Sequence, residues 1–396
     1  MYHRKCRVGV TLPLQRYPPA LFLVTPNQQF LQPHHPERCR DRELRRDTVF
    51  SGRRNYMSRS LLLALIIVCS WSAQALIAAE PVRLILDTDI GNDVDDALAL
   101  AMIHALQNRA EVRLLAVTIT KDNRYAAPFV DLVNTFYGCP DIPIGVVRKG
   151  KTRENAPMLE LPVQRRDSSG HYVYPRRIQD GSQAPEAVEL LTRILSQQPD
   201  HSVAIAQIGF STNLARLLKT PQGRELVQHK VKTLYLMAGN FVKPQPEYNV
   251  YTDPDSAKVL FEEWPTPMIF SGFEVGLAIT FPYEAIERDF DYTNHHPIVE
   301  AFQIYVRKRE DHPNWDSTAV LEAIRPDRGY FELSAPGRVR LGPKSTTVFT
   351  PDTQGNCRYL ILKPDQIARV RELITTLVSE PPQHTPPSVL SRRMLF

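Results

Sequence analysis

An α/β fold, with a mostly parallel central sheet flanked by helices in a single large domain, is the class that this sequence predicts. Three observations carry that expectation. From Val82 onward, short apolar runs alternate with longer amphipathic segments, the pattern of repeated strand–helix units. The runs are apolar at consecutive positions, as in strands buried on both faces, and do not alternate as a half-exposed strand would. The chain has 396 residues, enough for one large domain with additions, and shows no internal repeat or linker.

Taken in order, Val82 to Leu86 reads as a buried strand and Ala97 to Ile103 as part of a helix. Arg113 to Ile119 is a second strand. Ala126 to Tyr137 is a helix with Phe129, Leu132, Val133 and Phe136 on one face, stopped by Gly138-Cys139-Pro140. Ile142 to Val147 is a third strand. Residues 148–182 are polar and rich in turn formers, so a long loop is expected there, of the kind that usually serves function. Pro185 to Leu195 is a helix opened by Pro-Glu. Val203 to Ile208 is a strand, and Ser211 opens a helix to Leu218. Val231 to Met237 is a strand, Asp253 caps a helix to Glu263, and Pro267 to Phe270 is a short strand. Helices are expected over 297–306 and 317–324, small strands over 329–362, and a last helix from Pro364 to Val378.

One stretch organises the rest. Asp87, Asp89, Asp93, Asp95 and Asp96 fall within ten residues, between the first strand and its helix. Carboxylates so placed repel one another unless a cation holds them. A hard cation with oxygen ligands is the partner to expect, Ca²⁺ before Mg²⁺ because so many carboxylates can converge. Acidic residues favoured in a first helical turn account for Asp93, Asp95 and Asp96, but leave Asp87 and Asp89 at the strand end unexplained. An EF-hand loop fails, because Gly91 falls at the wrong place and no Glu closes a twelve-residue loop. The carboxyl end of a parallel strand is where open α/β sheets bind ligands.

Charge is unevenly spread. The formal net charge is +5, yet residues 1–60 carry 12 Lys+Arg against 4 Asp+Glu, leaving the remainder at −3. The basic excess therefore belongs to the N-terminus, and the body offers no basic, aromatic-studded run for nucleic acid. Residues 1–56 read as a disordered basic extension, upstream of a start at Met57. Residues 57–79 read as a signal peptide: Arg59, an apolar core from Leu61 to Cys69, then Ala73-Gln74-Ala75. That core is too short for a stable membrane span, so an exported protein, periplasmic or secreted, is expected. The domain then runs over 80–380, with a loose tail at 381–396. Cys139 and Cys357 remain after cleavage, and cysteine-based metal or redox chemistry is unsupported.

The strand, acidic loop and helix resemble the N-terminal signature of the inosine-uridine nucleoside hydrolases, Asp-x-Asp-x-Gly-x-Asp-Asp. Two extra residues stand here between Gly91 and the Asp95-Asp96 pair, so Asp93 or Asp95 takes the part of the first paired aspartate; Asp95 keeps the spacing to the helix and is preferred. Four later segments extend the likeness over about residues 82–378. Asn123 follows the second strand and takes the place of the Asn that bonds ribose in the family, although Lys121-Asp122 replaces the usual small residues; a turn-forming Asn is the structural alternative. Ile208-Gly209-Phe210-Ser211-Thr212-Asn213-Leu214-Ala215 resembles the segment whose carbonyl, here that of Ile208, reaches the metal. Met237-Ala238-Gly239-Asn240 and Glu247-Tyr248-Asn249 resemble the Met-Gly-Gly loop and the Glu-x-Asn that clasp ribose, with Glu247 and Asn249 on one face of an extended segment. Trp315-Asp316 supplies the distant aspartate; alone, Asp316 would read as an N-cap. Many members carry His at the Trp315 position, and the purine-preferring branch carries Trp, with Tyr172 or Tyr174 a candidate opposite wall.

What the resemblance implies is hydrolysis of the N-glycosidic bond of ribonucleosides, with purines preferred. Ca²⁺ is then held by Asp89, Asp96, Asp316 and the Ile208 carbonyl. Asp95 takes a proton from the bound water, and Asn123, Asn240, Glu247, Asn249 and Trp315 hold the nucleoside. The partner is a small-molecule ribonucleoside, not nucleic acid, and a homo-oligomer follows by analogy. Two other classes share parts of the pattern. A phosphatase of the haloacid dehalogenase type also begins with Asp-x-Asp after a strand, but Gly91 stands where it needs Thr or Val. An exported nucleoside- or ribose-binding protein without turnover would keep the cage.

Overall fold

Val82–Thr88 forms β1, and its neighbours explain why its middle, Leu84 to Leu86, is apolar and buried. It pairs in parallel with β2 (Val112–Ile119) on one side and β4 (Val203–Gln207) on the other, and helices cover both faces. This computed structural model describes residues 80–383, which belong to one unit. The expected basic extension and signal peptide, and the tail beyond residue 383, lie outside the described residues.

After β1 come α1 (Asp95–Asn108), β2, α2 (Ala126–Phe136), β3 (Ile144–Val146), α3 (Pro157–Gln164), α4 (Ala187–Ser196), β4, α5 (Thr212–Leu218), α6 (Pro221–Lys230) and β5 (Val231–Met237). Then follow α7 (Tyr248–Thr252), α8 (Pro254–Glu263), β6 (Met268–Ser271), α9 (Phe273–Ala278), β7 (Thr280–Phe281), α10 (Tyr283–Arg288), α11 (Pro297–Tyr305), β8 (His312–Pro313) and α12 (Asp316–Ile324). The chain closes with β9 (Glu332–Leu333), β10 (Gly337–Leu341), β11 (Thr347–Pro351), β12 (Cys357–Ile361) and α13 (Pro364–Val378).

The large sheet runs β11-β10-β12-β6-β5-β4-β1-β2-β3, with β9 beside β12. From β3 to β12 every pairing is parallel, and the β10–β11 hairpin adds antiparallel strands at one edge. Strand order reverses at β1: the chain goes outward to β2 and β3, then returns to β4 on the other side. That switch point opens a crevice at the carboxyl ends of β1 and β4. Successive strand residues feed opposite layers: Leu84 and Leu86 enter the core with α1, and Ile85 enters the core with α4 and α5. Helix α1 is buried from Asp95 to Leu106, which is why it is apolar all round and carries no amphipathic stripe.

Three segments differ from the sequence-based expectation. The loop at 148–182 contains α3, hidden by Pro162 inside it. Leu159 of α3 lies against Gly91, whose φ of +106° admits no side chain without strain and whose Cβ would strike that leucine. The Glu247–Asn249 segment is not extended: Glu247 is the N-cap of α7, and the next residues are helical. Residues 272–288 form α9, β7 and α10, elements too short for the pattern to reveal.

Candidate active site

At the end of β1 two aspartates part company. Asp87 is fully buried, and its Oδ1 accepts hydrogen bonds from Thr118 Oγ1 at 2.6 Å and Asn213 Nδ2 at 2.8 Å. It thus ties β1 to β2 and α5. Asp89 turns the other way into a cavity, where its Oδ2 accepts from Asn92 Nδ2 at 2.7 Å. Burial pushes both carboxyls up to about 7. Gly209 lets the β4 end approach this turn: a Cβ there would meet the Asp89 backbone N–H and lie 2.7 Å from Thr120 Oγ1.

The cavity is lined by Asp89, Asp93, Ile208, Met237, Glu247, Tyr248, Asn249, Phe273, Trp315 and Asp316. Residues more than 220 positions apart therefore meet. Asp316 opens α12, and Asp95 Oδ2 accepts from the backbone N–H groups of Trp315 at 2.8 Å and Asp316 at 3.1 Å. Asp96 Oδ1 accepts from Thr88 Oγ1. One carboxylate oxygen each from Asp93, Asp95 and Asp316 lies within 4.8 Å of the others. Burial first, and then the neighbouring carboxylates, push Asp93, Asp96 and Asp316 well above the usual range. Asp95 Oδ1 and Asp96 Oδ2 are buried without a hydrogen-bond partner. Orphaned oxygens among like charges are the arrangement that a hard divalent cation satisfies, so the donor set fits one.

On the opposite wall, Glu247 accepts from the N–H groups of Asn249 at 2.8 Å, Gly239 at 3.0 Å and Val250 at 3.3 Å. Burial holds its pKa at about 7 despite these bonds. Asn249 Nδ2 donates to the Ile208 carbonyl at 3.0 Å and the Met237 carbonyl at 3.1 Å, spanning the ends of β4 and β5. Trp315 Nε1 donates to the Phe273 carbonyl at 2.9 Å, and the two rings stack at 5.5 Å.

Of the residues singled out in the sequence, Asp89, Ile208, Glu247, Asn249, Trp315 and Asp316 line this cavity. Asp95 and Asp96 stand behind its wall, and the alternative, Asp93, is on it. Asn123 is elsewhere: its side chain accepts from Tyr125 N–H at 2.9 Å and donates to the Glu154 carbonyl at 3.0 Å, closing a turn. Asn240 likewise accepts from the N–H groups of Val242 and Lys243 and stays in its own loop. Neither candidate tyrosine faces Trp315 as a wall: Tyr172 lies between the guanidinium groups of Arg166 and Arg176, and Tyr174 is buried in the core. Tyr248 and Phe273 are the aromatic residues that share the cavity lining with Trp315. An extended segment would turn Tyr248 away from Glu247 and Asn249; a helical turn fans 247, 248 and 249 around one side instead.

The sequence profile described as inosine-uridine preferring nucleoside hydrolase matches residues 84–366. An inosine-uridine preferring nucleoside hydrolase of Leishmania major is 25% identical over 202 residues, 48% of this chain and 60% of that one. A pyrimidine-specific ribonucleoside hydrolase of Enterobacter is 29% identical over 216 residues, with the same shares. The chain thus spans about 60% of the length of these curated relatives. Among solved structures, an inosine-guanosine nucleoside hydrolase superposes with a TM-score of 0.57 at 20% identity, covering 77% of this chain and 99% of its own. A purine-preferring ribonucleoside hydrolase from Gardnerella vaginalis gives 0.57 at 19% identity, covering 75% and 98%. These two likenesses carry the fold. With the profile spanning most of the described domain, this chain belongs to the inosine-uridine preferring nucleoside hydrolase family.

Proposed function

We propose that this protein hydrolyses the N-glycosidic bond of ribonucleosides, releasing free base and ribose. The observation that carries the reading is one cavity in which three carboxylates (Asp89, Asp93, Asp316) face an amide–carboxylate pair (Asn249, Glu247) beside an aromatic wall. Hydroxyls of a pentose are what a carboxylate and an amide side by side recognise, by accepting and donating hydrogen bonds. A flat base suits the wall of Trp315, Phe273 and Tyr248.

A divalent cation, Ca²⁺ in the first place, would be held by Asp89, Asp95, Asp96 and Asp316 with the Ile208 carbonyl. When bound, such an ion lowers the pKa of a coordinated water and orients it. The remaining steps belong to the chain. Asp93 lines the cavity and Asp95 does not, which favours Asp93 over Asp95 as the group that takes the water's proton. The oxygen attacks the anomeric carbon as the bond to the base nitrogen breaks; the bonding pair leaves with the nitrogen, which takes up a proton from solvent, and the proton left on the carboxyl returns to solvent. Buried carboxylates stabilise the positive charge that develops on the sugar. Trp315 supports a preference for purines, whose larger face gains more from stacking. Residues 57–79 support delivery out of the cytoplasm, which N-terminal sequencing of secreted protein tests.

The deciding experiment is incubation with inosine, uridine and a ribosyl phosphate, with and without chelator, following free base and phosphate. Base release that chelator abolishes is the expected result. Binding without release would favour a non-catalytic carrier, and phosphate release alone would favour phosphatase chemistry. An Asp93→Asn variant should lose about 10²–10⁴-fold in turnover; wild-type turnover would return the base role to Asp95.

A further inference from the structure

Lys121 is a cation where the interior should not hold one. It follows β2, its side chain is 2% exposed, and it ends against the acidic loop. Its ammonium donates to Asn92 Oδ1 at 2.6 Å, and Asn92 Nδ2 donates onward to Asp89 Oδ2 at 2.7 Å. The Asn92 N–H also donates to the Asp89 carbonyl at 3.2 Å, fixing the turn that carries the amide. The amide's orientation is dictated: reversed, it would set its N–H against the ammonium and its oxygen against the carboxylate. Glu154 lies 3.7 Å from the ammonium on the solvent side. Burial pulls the lysine pKa down, and Glu154, Asp89 and Asp96 pull it back. Asn92 is one of four residues that separate Gly91 from the last aspartate of the loop, Asp96. The two halves of this device, Lys121 and Asn92, thus sit on different strand ends and meet only in the fold.

We propose that Lys121 is a built-in counter-cation of the acidic cavity, coupled through Asn92 to Asp89, that holds the carboxylates together while no divalent ion is bound. The inference rests on the cation reading above. A residue kept only for packing would not need a charge. A residue kept only to orient Asp89 would help the ion to bind. A standing counter-cation does the opposite: it stabilises the empty cage and competes with the incoming ion, since both answer the same negative charge. Its presence lets the loop and the first turn of α1 stay formed before loading.

The test compares wild type, Lys121→Met and Lys121→Arg, each stripped with chelator and then given Ca²⁺ alone. Thermal unfolding and calorimetric titration are the readouts. The methionine variant should melt below wild type when stripped and converge with it when loaded, so that the Ca²⁺-induced shift grows. By linkage its Kd for Ca²⁺ should tighten roughly fivefold or more. The arginine variant, which keeps the charge, should retain the wild-type shift. Should the methionine variant not fold when stripped, Lys121→Gln gives the same comparison with a side chain that can still bond Asn92. An unchanged shift would make Lys121 a packing residue, and a smaller one would make it an aid to ion binding; either overturns the proposal. A wild type that shows no Ca²⁺ shift would bring down the cation reading itself, which is a distinguishable failure.

Discussion

Two clusters of buried titratable side chains in this molecule resolve the same difficulty in opposite ways. Between α2 and α11, His104, Asn134, Tyr137, Tyr292 and His296 are stacked or hydrogen-bonded into the core. His104 lies flat on Tyr137 at 4.9 Å and bonds Asn134 Oδ1 at 2.9 Å. His296 accepts from the Ile298 N–H through Nδ1 and so gives its Nε2 proton to the Tyr292 hydroxyl at 2.8 Å. Burial lowers these histidines to about 4 and about 3, so both are neutral. At the carboxyl end of the sheet, five buried aspartates (Asp87, Asp89, Asp95, Asp96 and Asp316), the half-buried Asp93 and the buried Glu247 cannot neutralise one another, and three of their oxygens are left bare. A buried polar group that can shed its charge becomes structure. Like charges forced together await something from outside, and that is what marks the second cluster as the site.

Removing a member from each cluster should therefore have opposite consequences. Asp316→Asn should cost about 10³-fold or more in kcat/KM, measured as base release, because it opens the cage where positive charge must be stabilised. The same variant should melt higher than wild type in chelator, since one repulsive carboxylate is gone. His296→Ala should leave kcat per folded molecule unchanged. It should lose about 2–4 kcal/mol in denaturant titration, from the cavity beside Phe136 and Phe290 and the unpaired Tyr292 and Ile298 groups. A cage variant that lost stability in chelator would break the comparison.

pH sharpens it further, because the two clusters titrate with opposite sign. Asp87, Asp89 and Glu247 rise to about 7 from ordinary values of 3.8 to 4.5. Between those values the folded chain holds protons that the unfolded chain has lost, so the cage stabilises below about pH 4 and that stability is lost as pH rises to about 7. The histidines behave in reverse: their contribution is present above about 6.5 and lost as pH falls towards 4 and 3. The carboxylates outnumber them. In chelator the Tm should accordingly fall between pH 5 and pH 7, and Ca²⁺ should abolish that fall. A Tm that rises over this interval in chelator would show that the cage is not held apart by its own charge.

How much of this was legible beforehand follows the length of each signal. The β1–loop–α1 unit was readable because a seven-residue strand with an apolar middle, a run of aspartates and a fourteen-residue helix leave few alternatives. The meeting of Asp316 with that loop came from the family pattern, not from any local feature, since a lone Asp opening a helix is ordinary. The Glu247 turn was misread because five residues cannot separate a period of 2 from one of 3.6. Helix α3 was hidden by its own proline. Lys121 looked like a departure from a turn of small residues, and its partner Asn92 meant nothing until the fold brought them together.

On the aromatic wall a smaller effect is expected. Trp315→Leu should raise KM for inosine by roughly tenfold, about 1.4 kcal/mol, the order of a lost stacking contact. It should raise KM for uridine less. Equal losses on both substrates would remove the purine preference from Trp315 and assign it to packing over Gly276, whose Cβ position the indole already occupies.

Smallest of all should be Asn123→Ala, which separates a sugar contact from a turn. An asparagine whose oxygen accepts the N–H two residues on is a closed local loop, and its amide is spent on the Glu154 carbonyl. Both ends of the amide are held in this turn, and the residue is not part of the cavity lining. The variant should lose about 1 kcal/mol of stability and less than about twofold in kcat/KM. If kcat/KM fell by about 10²-fold, the 121–124 turn must reorganise when substrate enters, breaking its bonds to Tyr125 and Glu154 to present the side chain. The site would then be completed by binding, and the acidic loop alone would be preformed.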